Sequence, residues 1–387
     1  MANLRELRSR IASIKSTRKI TSAMKMVAAA RLRQSQEALS ESGYFAASLA
    51  RVITRLAKTM EFVRDTDIAN GKTPRYELPR LLIGSESSEK YLIVVFSSSR
   101  GLCGGFNVNV VKKTTQLIRH LERENKDVYL ICVGSKGFEA LKHSFGDKIV
   151  YHTDGAANPA EQRLEAERIG MRVLDMFETG EIDACAVIYN QFHSAISQEV
   201  RIDPLIPLKP LRVLQPFTDE TPWGFEEGVE NAYKIERQPK QHSRAMGAQS
   251  GGGYGASRAG TSGGSQVRRP TPVAGAKGRY RTSRVASALN AEEQELLHVK
   301  DPLEYDFEPA GPDVLLNALL PELMTTLIYR STLDSSASEN GARMTAMDNA
   351  TDNAGDIIDD LTLLYNRRRQ SLITSELTEI ISGAEAL

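Results

Sequence analysis

The sequence predicts an α/β protein in which a central Rossmann-like α/β domain is joined to a long antiparallel coiled coil of the N- and C-terminal helices. Three observations predict this architecture. Heptad-spaced apolar residues run through both ends of the chain. Between the two ends, three short apolar runs alternate with two segments of helical pattern. The first terminal segment is rich in basic residues, whereas the last one carries a regular series of aspartates.

Residues 1–62 predict one N-terminal coiled-coil helix. The first 60 residues contain no proline and a single glycine, Gly43. Residues 1–36 hold nine basic residues and one acidic residue, a composition similar to that of a mitochondrial transit peptide. The helical pattern continues past residue 36, so we expect this segment to belong to the mature protein. The apolar seam comprises Leu4, Leu7, Ile11, Ile14, Leu49, Ile53, Leu56 and Met60, with a polar interruption at Arg18, Thr21 and Lys25.

Residues 75–213 predict the α/β domain. Three apolar runs, Tyr91–Phe96, Val128–Val133 and Ala184–Tyr189, have the length and composition of fully buried strands. Residues 107–124 and 159–179 have helical patterns. Alternating strands and helices indicate βαβ units with a mostly parallel sheet and right-handed crossovers.

Residues 214–300 predict a low-complexity insert. Eleven Lys or Arg residues and one acid, Glu236, lie between positions 234 and 288, and ten glycines lie between Gly247 and Gly278. Because large apolar side chains are too few here to offset the entropy of ordering, we expect disorder over 238–286. A basic arm of this kind could bind RNA or anionic lipid, and a solvated linker is the alternative.

After a return segment at 301–312, residues 313–387 predict the C-terminal coiled-coil helix. Met347, Thr351, Ala354 and Ile358 open its heptad seam, beside a stripe formed by Asp348, Asp352, Asp356 and Asp360. Like charges four residues apart weaken an isolated helix, so a basic partner is implied. The basic first helix supplies one, and antiparallel pairing is the simplest topology for a domain inserted between the two helices.

The residues that carry chemistry form no recognisable site. The glycines of the segment Ser97–Asn107 match neither a P-loop nor a dinucleotide fingerprint. The six histidines have no metal-ligand spacing, and Cys103, Cys132 and Cys185 form no pair. We therefore expect no catalytic, cofactor-binding or metal-binding residues in this chain. The chain has 49 basic and 49 acidic residues, so we expect no nucleic-acid partner. It has no apolar run of about 18 residues, so we expect no membrane insertion.

Separated motifs resemble one known family, the gamma subunit of F-type ATP synthase. Residues Lys15–Ala29 (KSTRKITSAMKMVAA) are similar to the family's first-helix signature, and Ser99–Asn107 (SRGLCGGFN) resembles the segment after its first strand. Ala342–Met347, Ala350–Asn353 and Ile373–Ala386 (ITSELTEIISGAEA) resemble its C-terminal helix. The resemblance covers about 1–210 and 300–387.

This resemblance implies the central-stalk rotor of a proton-translocating complex that couples rotation of a membrane ring to catalytic sites on other subunits. It implies three alpha and three beta subunits around the coiled coil, with the epsilon subunit and the c-ring at the foot. It also implies a peripheral position on the cytoplasmic side of a bacterial inner membrane. A coiled-coil scaffold with a basic RNA- or lipid-binding arm and a small α/β nucleotide enzyme remain the alternatives.

Site residues follow from the resemblance position by position. Contacts with the alpha/beta hexamer are implied for Met24, Lys25, Arg343, Gln370, Thr374 and Glu376. Contacts at the rotor foot are implied for Tyr305, Phe307 and Glu308. Lys25 stands where relatives often have an acidic residue, so the local charge contact is expected to differ. We also expect that at least one of Met24 and Met26 packs in the coiled coil. The insert lacks the cysteine pair that serves as a thiol switch in some photosynthetic relatives, and we interpret it as a passive segment. The alternative is that the insert slows rotation. Deleting residues 238–286 would test that alternative, because unchanged ATP hydrolysis and synthesis would exclude it.

Overall fold

The two ends of the chain form two long helices, α1 (Leu4–Ala69) and α6 (Pro312–Glu385). They belong to a computed structural model that describes residues 4–85, 87, 89–208 and 311–385. The predicted insert at 214–300 lies outside the described residues, as does the return segment at 301–312 apart from its last two positions. At 1.5 Å per residue the two helices extend for roughly 100 Å and 110 Å.

α1 and α6 pair antiparallel, which confirms the predicted coiled coil. The Arg8 guanidinium donates to the Tyr365 hydroxyl at 3.0 Å near one end of the pair. Further along, the Thr21 and Thr351 hydroxyls lie 2.7 Å apart, and the Ser35 and Ser336 hydroxyls lie 3.2 Å apart. Residue numbers rise along one helix as they fall along the other. We call this helix pair the shaft.

α1 is longer than the sequence predicted, because it ends at Ala69 rather than at residue 62. Residues 63–69 contain neither glycine nor proline, and the turn that follows is formed by Asn70 and Gly71, whose φ is +67°. Beyond it, the Asp67 carboxylate accepts hydrogen bonds from the backbone N–H of Arg75 at 3.1 Å and from its Nε at 3.0 Å. These bonds hold the chain where it reverses toward the sheet.

The central domain contains a five-stranded sheet with strand order β3-β2-β1-β4-β5. β1 pairs parallel with β2 and β4, β2 pairs parallel with β3, and β5 runs antiparallel to β4. The elements are α2 (Arg80–Ile83), β1 (Lys90–Phe96), α3 (Phe106–Arg123), β2 (Asp127–Val133), α4 (Ser135–Phe145), β3 (Ile149–Thr153), α5 (Pro159–Glu178), β4 (Ala184–Phe192) and β5 (Gln198–Ile206).

Four of these elements, α2, α4, β3 and β5, were not predicted, and α2 is a single turn of four residues. β3 is five residues long and only partly buried, so it lacks the apolar run that marks a central strand. β5 is an edge strand whose polar residues and Pro204 interrupt the apolar pattern. α4 spans only 11 residues, too few for a clear helical period.

The sheet is covered on both faces. On one face, α5 and the lower part of the shaft bury a large apolar core against it, including Ile53 and Met60 of α1 and Leu320 of α6. On the other face, α3 and α4 bury a smaller core. The shaft is therefore part of the α/β domain at its lower end and leaves that domain at its upper end.

Candidate functional site

The C-terminal part of α6 extends beyond the start of α1. Because Arg8 lies beside Tyr365, the first described residue of α1, Leu4, lies opposite about residue 369 of α6. All residues from 369 to 382, which we call the tip, are exposed. At 1.5 Å per residue the tip is about 21 Å long. Its exposed apolar side chains are Leu372, Ile373, Leu377, Ile380 and Ile381.

These apolar side chains of the tip are not scattered. Ile373, Leu377 and Ile380 follow the four- and three-residue spacing that places side chains on one face of a helix. A contiguous exposed apolar face of this kind marks a protein interaction surface. The tip is thus a helical segment that needs a partner other than α1.

A second exposed apolar face lies on α1. Ile20, Met24 and Val27 are spaced four and three residues apart, and the side chain of Met24 is 39% exposed. Met26 is 69% exposed and lies outside the seam, so the predicted coiled-coil packing of at least one of Met24 and Met26 stays a prediction for Met24 alone. The seam passes instead through Thr21 and Ala28, which are both buried.

Between these two faces, the charged residues of the shaft pair with each other. The Lys25 ammonium group forms an ion pair with the Asp348 carboxylate, and these side chains are 41% and 45% exposed. Two turns further along α6, the Arg18 guanidinium lies beside Gly355. The predicted contact between the basic α1 and the aspartate stripe of α6 is therefore shown at Asp348, and for Asp352, Asp356 and Asp360 it stays a prediction.

Arg343 has its contacts inside the chain. Its side chain is 13% exposed, and its Nη2 atom lies 2.6 Å from the Glu339 carboxylate. The same nitrogen donates to the carbonyl oxygens of Arg100 and Gly101 at 3.4 Å each. Burial raises the pKa of Glu339, and the adjacent Arg343 guanidinium partly offsets that effect. Arg343 thus ties α6 to the loop after β1.

A row of polar side chains continues this attachment; we call α6 residues 334–345 and the loop ends they contact the joint. The Asp334 carboxylate accepts from the Phe192 N–H at 3.3 Å, and the Ser338 hydroxyl donates to the Asn190 carbonyl at 3.0 Å. The Thr345 hydroxyl donates to the Ala195 carbonyl at 2.9 Å. These bonds fasten about 16 Å of α6 to the hairpin between β4 and β5.

Close packing and burial accompany these bonds. A Cβ at Gly341 would lie 3.2 Å from the Phe192 ring, so the helix and the hairpin approach each other closely. Burial raises the pKa of Asp334 to about 6, against the opposing effects of Arg330 and of the Phe192 N–H. Asp203 raises it further, whereas His193 lowers it.

The loop Ser97–Asn107 has a structural role. The Asn107 side chain accepts from the Ser98 N–H at 3.0 Å and donates to the Ser98 hydroxyl at 2.7 Å. A Cβ at Gly134 would lie 2.2 Å from the Ser97 carbonyl oxygen, so only glycine allows β1 and β2 to end so closely together. This loop then leads into the start of α3.

The predicted site residues fall into four groups. Gln370, Thr374 and Glu376 lie on the exposed tip, where the Thr374 hydroxyl donates to the Gln370 carbonyl at 2.9 Å. Met24 and Lys25 lie on the upper shaft, and Arg343 lies in the joint. Tyr305, Phe307 and Glu308 lie outside the described residues.

The polar residues of the joint were missed from the sequence. Asp334, Ser338 and Asn340 come from a stretch whose hydropathy is typical of an exposed helix, yet all three are buried. The one signal that could have found them is the concentration of small polar residues between 331 and 341, because small side chains let a helix approach a backbone closely.

Within the described part of the chain, no group of His, Cys, Asp and Glu side chains could hold a metal ion. Cys103, Cys132 and Cys185 are free and buried, and burial raises the pKa of Cys132 to about 12. No helix among the described residues is long and apolar enough to span a membrane.

Comparisons with a protein family and with individual proteins point to the same family. The family described as ATP synthase matches residues 3–249 and 271–387, and the gap at 250–270 falls in the predicted insert. The ATP synthase gamma chain of Maricaulis maris is 38% identical over 387 residues, and that of Rhodospirillum rubrum is 36% identical over 387 residues. Both alignments cover 100% of each chain.

Solved structures similar to this chain include the central stalk and c-ring of Tetrahymena thermophila mitochondrial ATP synthase. That match has 18% identity and a TM-score of 0.45, and it covers 86% of this chain and 99% of that chain. The full-length sequence matches carry the assignment: this chain belongs to the family of ATP synthase gamma chains.

Proposed function

We propose that this chain is the central-stalk rotor of a proton-translocating ATP synthase and couples rotation of a c-ring to conformational changes at catalytic sites on beta subunits. One observation of the structure carries the proposal: α6 is anchored in the α/β domain, pairs with α1, and then continues alone as an exposed apolar tip. A helix with an unpaired apolar end fits a shaft whose upper part is enclosed by other subunits.

The coupling has a simple physical basis. Three alpha and three beta subunits form a ring with threefold symmetry, whereas the shaft consists of two different helices and has no such symmetry. The shaft therefore contacts each catalytic site differently and biases the conformational equilibrium of each site differently. Rotation by a third of a turn exchanges these biases among the three sites.

The upper shaft supplies the contacts with the hexamer. In this proposal Met24, together with Ile20 and Val27, presents its apolar face to the ring. Gln370, Thr374 and Glu376 supply polar contacts on the tip. Lys25 acts on the upper shaft while Asp348 holds it, so its charge reaches the partner already partly compensated. Arg343 acts from the joint, where Glu339 holds it and its side chain is 13% exposed.

The lower part of the chain transmits torque. Tyr305, Phe307 and Glu308 contact the rotor foot in this proposal, beside the epsilon subunit and the c-ring. The joint then passes torque from the α/β domain to the shaft. The chain itself makes and breaks no covalent bond, since ATP is made or hydrolysed on partner subunits. We place it on the cytoplasmic face of a bacterial inner membrane, as a peripheral protein.

Native mass spectrometry of the complex that an affinity-tagged copy of this chain forms in its own cells tests the proposal. We expect one copy of this chain with three copies each of two larger subunits and one smaller subunit. A homo-oligomer, or a complex with RNA, would contradict the rotor assignment and favour the scaffold alternative.

A further inference from the structure

Ionisable side chains of α6 and of the sheet meet inside the joint, where α6 crosses the hairpin between β4 and β5. Asp334 of α6 is 8% exposed, and Tyr189 of β4 is 4% exposed. The Tyr189 hydroxyl donates to the Asp203 carboxylate of β5 at 2.7 Å, and both carboxylates act electrostatically on this phenol. Asp203 also acts on Asp334. Two carboxyl groups therefore interact where little water is present to screen their charges.

The negative charge of Asp334 has little compensation. Among the residues that the structure describes, none forms an ion pair with this carboxylate. Arg330, one turn earlier on α6, attracts it, yet the Arg330 Nε atom is buried and has no hydrogen-bond partner in the described chain. The Phe192 N–H donates to the carboxylate at 3.3 Å, which is longer than the roughly 2.9 Å of a typical bond. A buried carboxylate with so few partners favours its protonated form.

Other charged groups face or flank this cluster from the elements that pack against it. They are His193 of the hairpin, Glu199 and Arg201 of β5, and Glu37 of α1. His193 attracts Asp334, but its Nε2 atom also lies 3.4 Å from the Glu199 carboxylate. Glu37 is exposed and pairs with Arg33 at 3.1 Å. His193 thus divides its attraction between two carboxylates, and the charges of α1 at this level are directed to solvent.

The charge state of Asp334 changes within the ordinary pH range. Burial raises the pKa of Asp334 to about 6, with a smaller contribution from Asp203. The closed joint therefore holds the proton below this pH and encloses a negative charge above it. Movement of the hairpin away from α6 would hydrate that charge, and it would break the bonds that Ser338 and Thr345 donate to hairpin carbonyls at 3.0 Å and 2.9 Å. The balance between these two effects shifts with pH.

We propose that proton binding at Asp334 strengthens the attachment of α6 to the hairpin, and that loss of this proton lets the hairpin open from α6 more readily. The opening admits water to Asp334 and leaves β4 and β5 paired, because the Tyr189–Asp203 bond lies within the sheet. α6 leaves the α/β domain at the joint, so this attachment loosens as the pH rises. The effect of the loosening on torque rests on the proposed function, whereas the opening itself does not.

Hydrogen exchange of the purified full-length chain, measured by mass spectrometry at pH 5 and pH 8, tests this proposal. Each rate is compared with the intrinsic exchange rate at the same pH to give a protection factor. We expect the protection of residues 190–197 to be about tenfold lower at pH 8 than at pH 5, since opening returns the pKa of Asp334 from about 6 to 3.8. β1 should be more protected than the hairpin at both pH values, because it opens only when the domain unfolds.

Asp334→Asn removes the charge and keeps an acceptor for the Phe192 N–H. In this variant the protection of residues 190–197 should differ by less than about twofold between pH 5 and pH 8. Asp356→Asn is the matched control, because it makes the same change at an exposed position about six turns further along α6. It should keep the difference of about tenfold. His193→Gln should keep it as well, which separates Asp334 from the other titratable group that faces it from the hairpin.

Three results would overturn the proposal. The first is equal protection of residues 190–197 at pH 5 and pH 8 in the unmodified chain. The second is a pH dependence that Asp334→Asn leaves unchanged. The third is equal protection of the hairpin and β1 at pH 8, since the joint would then open only with the whole domain. If Asp334→Asn does not fold, the first and third comparisons still decide, because they need no variant. None of these results would affect the rotor assignment, which is tested on the assembled complex.

Discussion

The two halves of α6 have the same secondary structure and opposite surroundings. In the first half, up to Met347, apolar residues such as Leu320 and Ile328 are fully buried, and so are polar residues such as Ser338. In the second half, burial becomes sparse after Ile358 and ends before the tip, where Leu377 is 53% exposed.

The first half of α6 therefore contributes to folding, and the second half is available for contacts with partner subunits. The first half is held by the α/β domain and by α1, so its side chains determine the stability of the isolated chain. The second half keeps apolar side chains that do nothing for the isolated chain, and these are available to an enclosing partner. Changes in the two halves should therefore have different readouts.

The largest expected effect comes from a pair of identical substitutions. Leu320→Ala should reduce the free energy of unfolding by about 2–5 kcal/mol, because it leaves a cavity in the core. Leu377→Ala should change it by less than about 0.5 kcal/mol, because Leu377 is 53% exposed and lies outside both apolar cores. Urea unfolding of both full-length variants measures the difference. Equal losses would show that the tip is packed within the isolated chain.

The second-largest loss of stability is expected at the joint, for a substitution of Arg343. Arg343→Ala should destabilise the chain by about 2–3 kcal/mol, because it leaves the Glu339 carboxylate buried without its partner. The control is the double variant Arg343→Ala/Glu339→Gln, in which no uncompensated charge remains. It should recover about 1 kcal/mol or more in the same urea experiment. A double variant no more stable than the single one would mean that the ion pair is unimportant.

A smaller change in the free energy of unfolding, this time an increase, is expected when the charge of Asp334 is removed. Folding raises its pKa from 3.8 to about 6, so the native state favours the protonated form. The stability that it contributes is complete below pH 3.8 and is lost as the pH rises through about 6. Asp334→Asn keeps an acceptor for the Phe192 N–H without the charge, and it should stabilise the chain by about 1–3 kcal/mol at pH 8.

The pH dependence provides the control for Asp334→Asn. At pH 4 the carboxyl of the unmodified chain is protonated, and the two proteins should unfold at nearly the same urea concentration. Arg330, Asp203 and His193 also face this group, and they are unchanged in both proteins. A stabilisation that is the same at pH 4 and pH 8 would rule out the charge of Asp334 as its cause.

The smallest effect is expected at the upper shaft. Lys25→Ala removes the ion pair with Asp348, but both side chains are more than 40% exposed. An exposed pair of this kind contributes about 0.2–1 kcal/mol and weakens with salt. Thermal unfolding at low and high salt should therefore show a small difference that disappears in high salt. A large, salt-independent loss would indicate that Lys25 has an apolar packing role.

Much of this architecture could be predicted because it depends on periodic apolar patterns. The heptads of α1 and α6 and the aspartate stripe were sufficient to predict the antiparallel shaft, and the three central strands are marked by unbroken apolar runs. β3 and β5 were missed because edge strands are half exposed and need no such run. Pattern analysis therefore recovers the centre of the sheet better than its edges.

The candidate site could be predicted only in part. The tip residues Gln370, Thr374 and Glu376 came from a resemblance to a family, and their exposure follows from the different start points of the two helices. The joint was not predicted, because burial of Asp334 and Ser338 depends on backbone groups of a hairpin some 140 residues earlier in the chain. The small polar residues between 331 and 341 indicate a close approach to some backbone, but they do not identify the hairpin as the partner.

The central claim is that the second half of α6 is enclosed by partner subunits while the first half is fixed within the chain. Hydrogen exchange measured by mass spectrometry, on the purified chain and on the assembled complex, tests it most directly. We expect residues 316–337 to be protected in both samples, and the tip to exchange rapidly in the isolated chain and slowly in the complex. Rapid exchange of the tip in the complex as well would contradict the account.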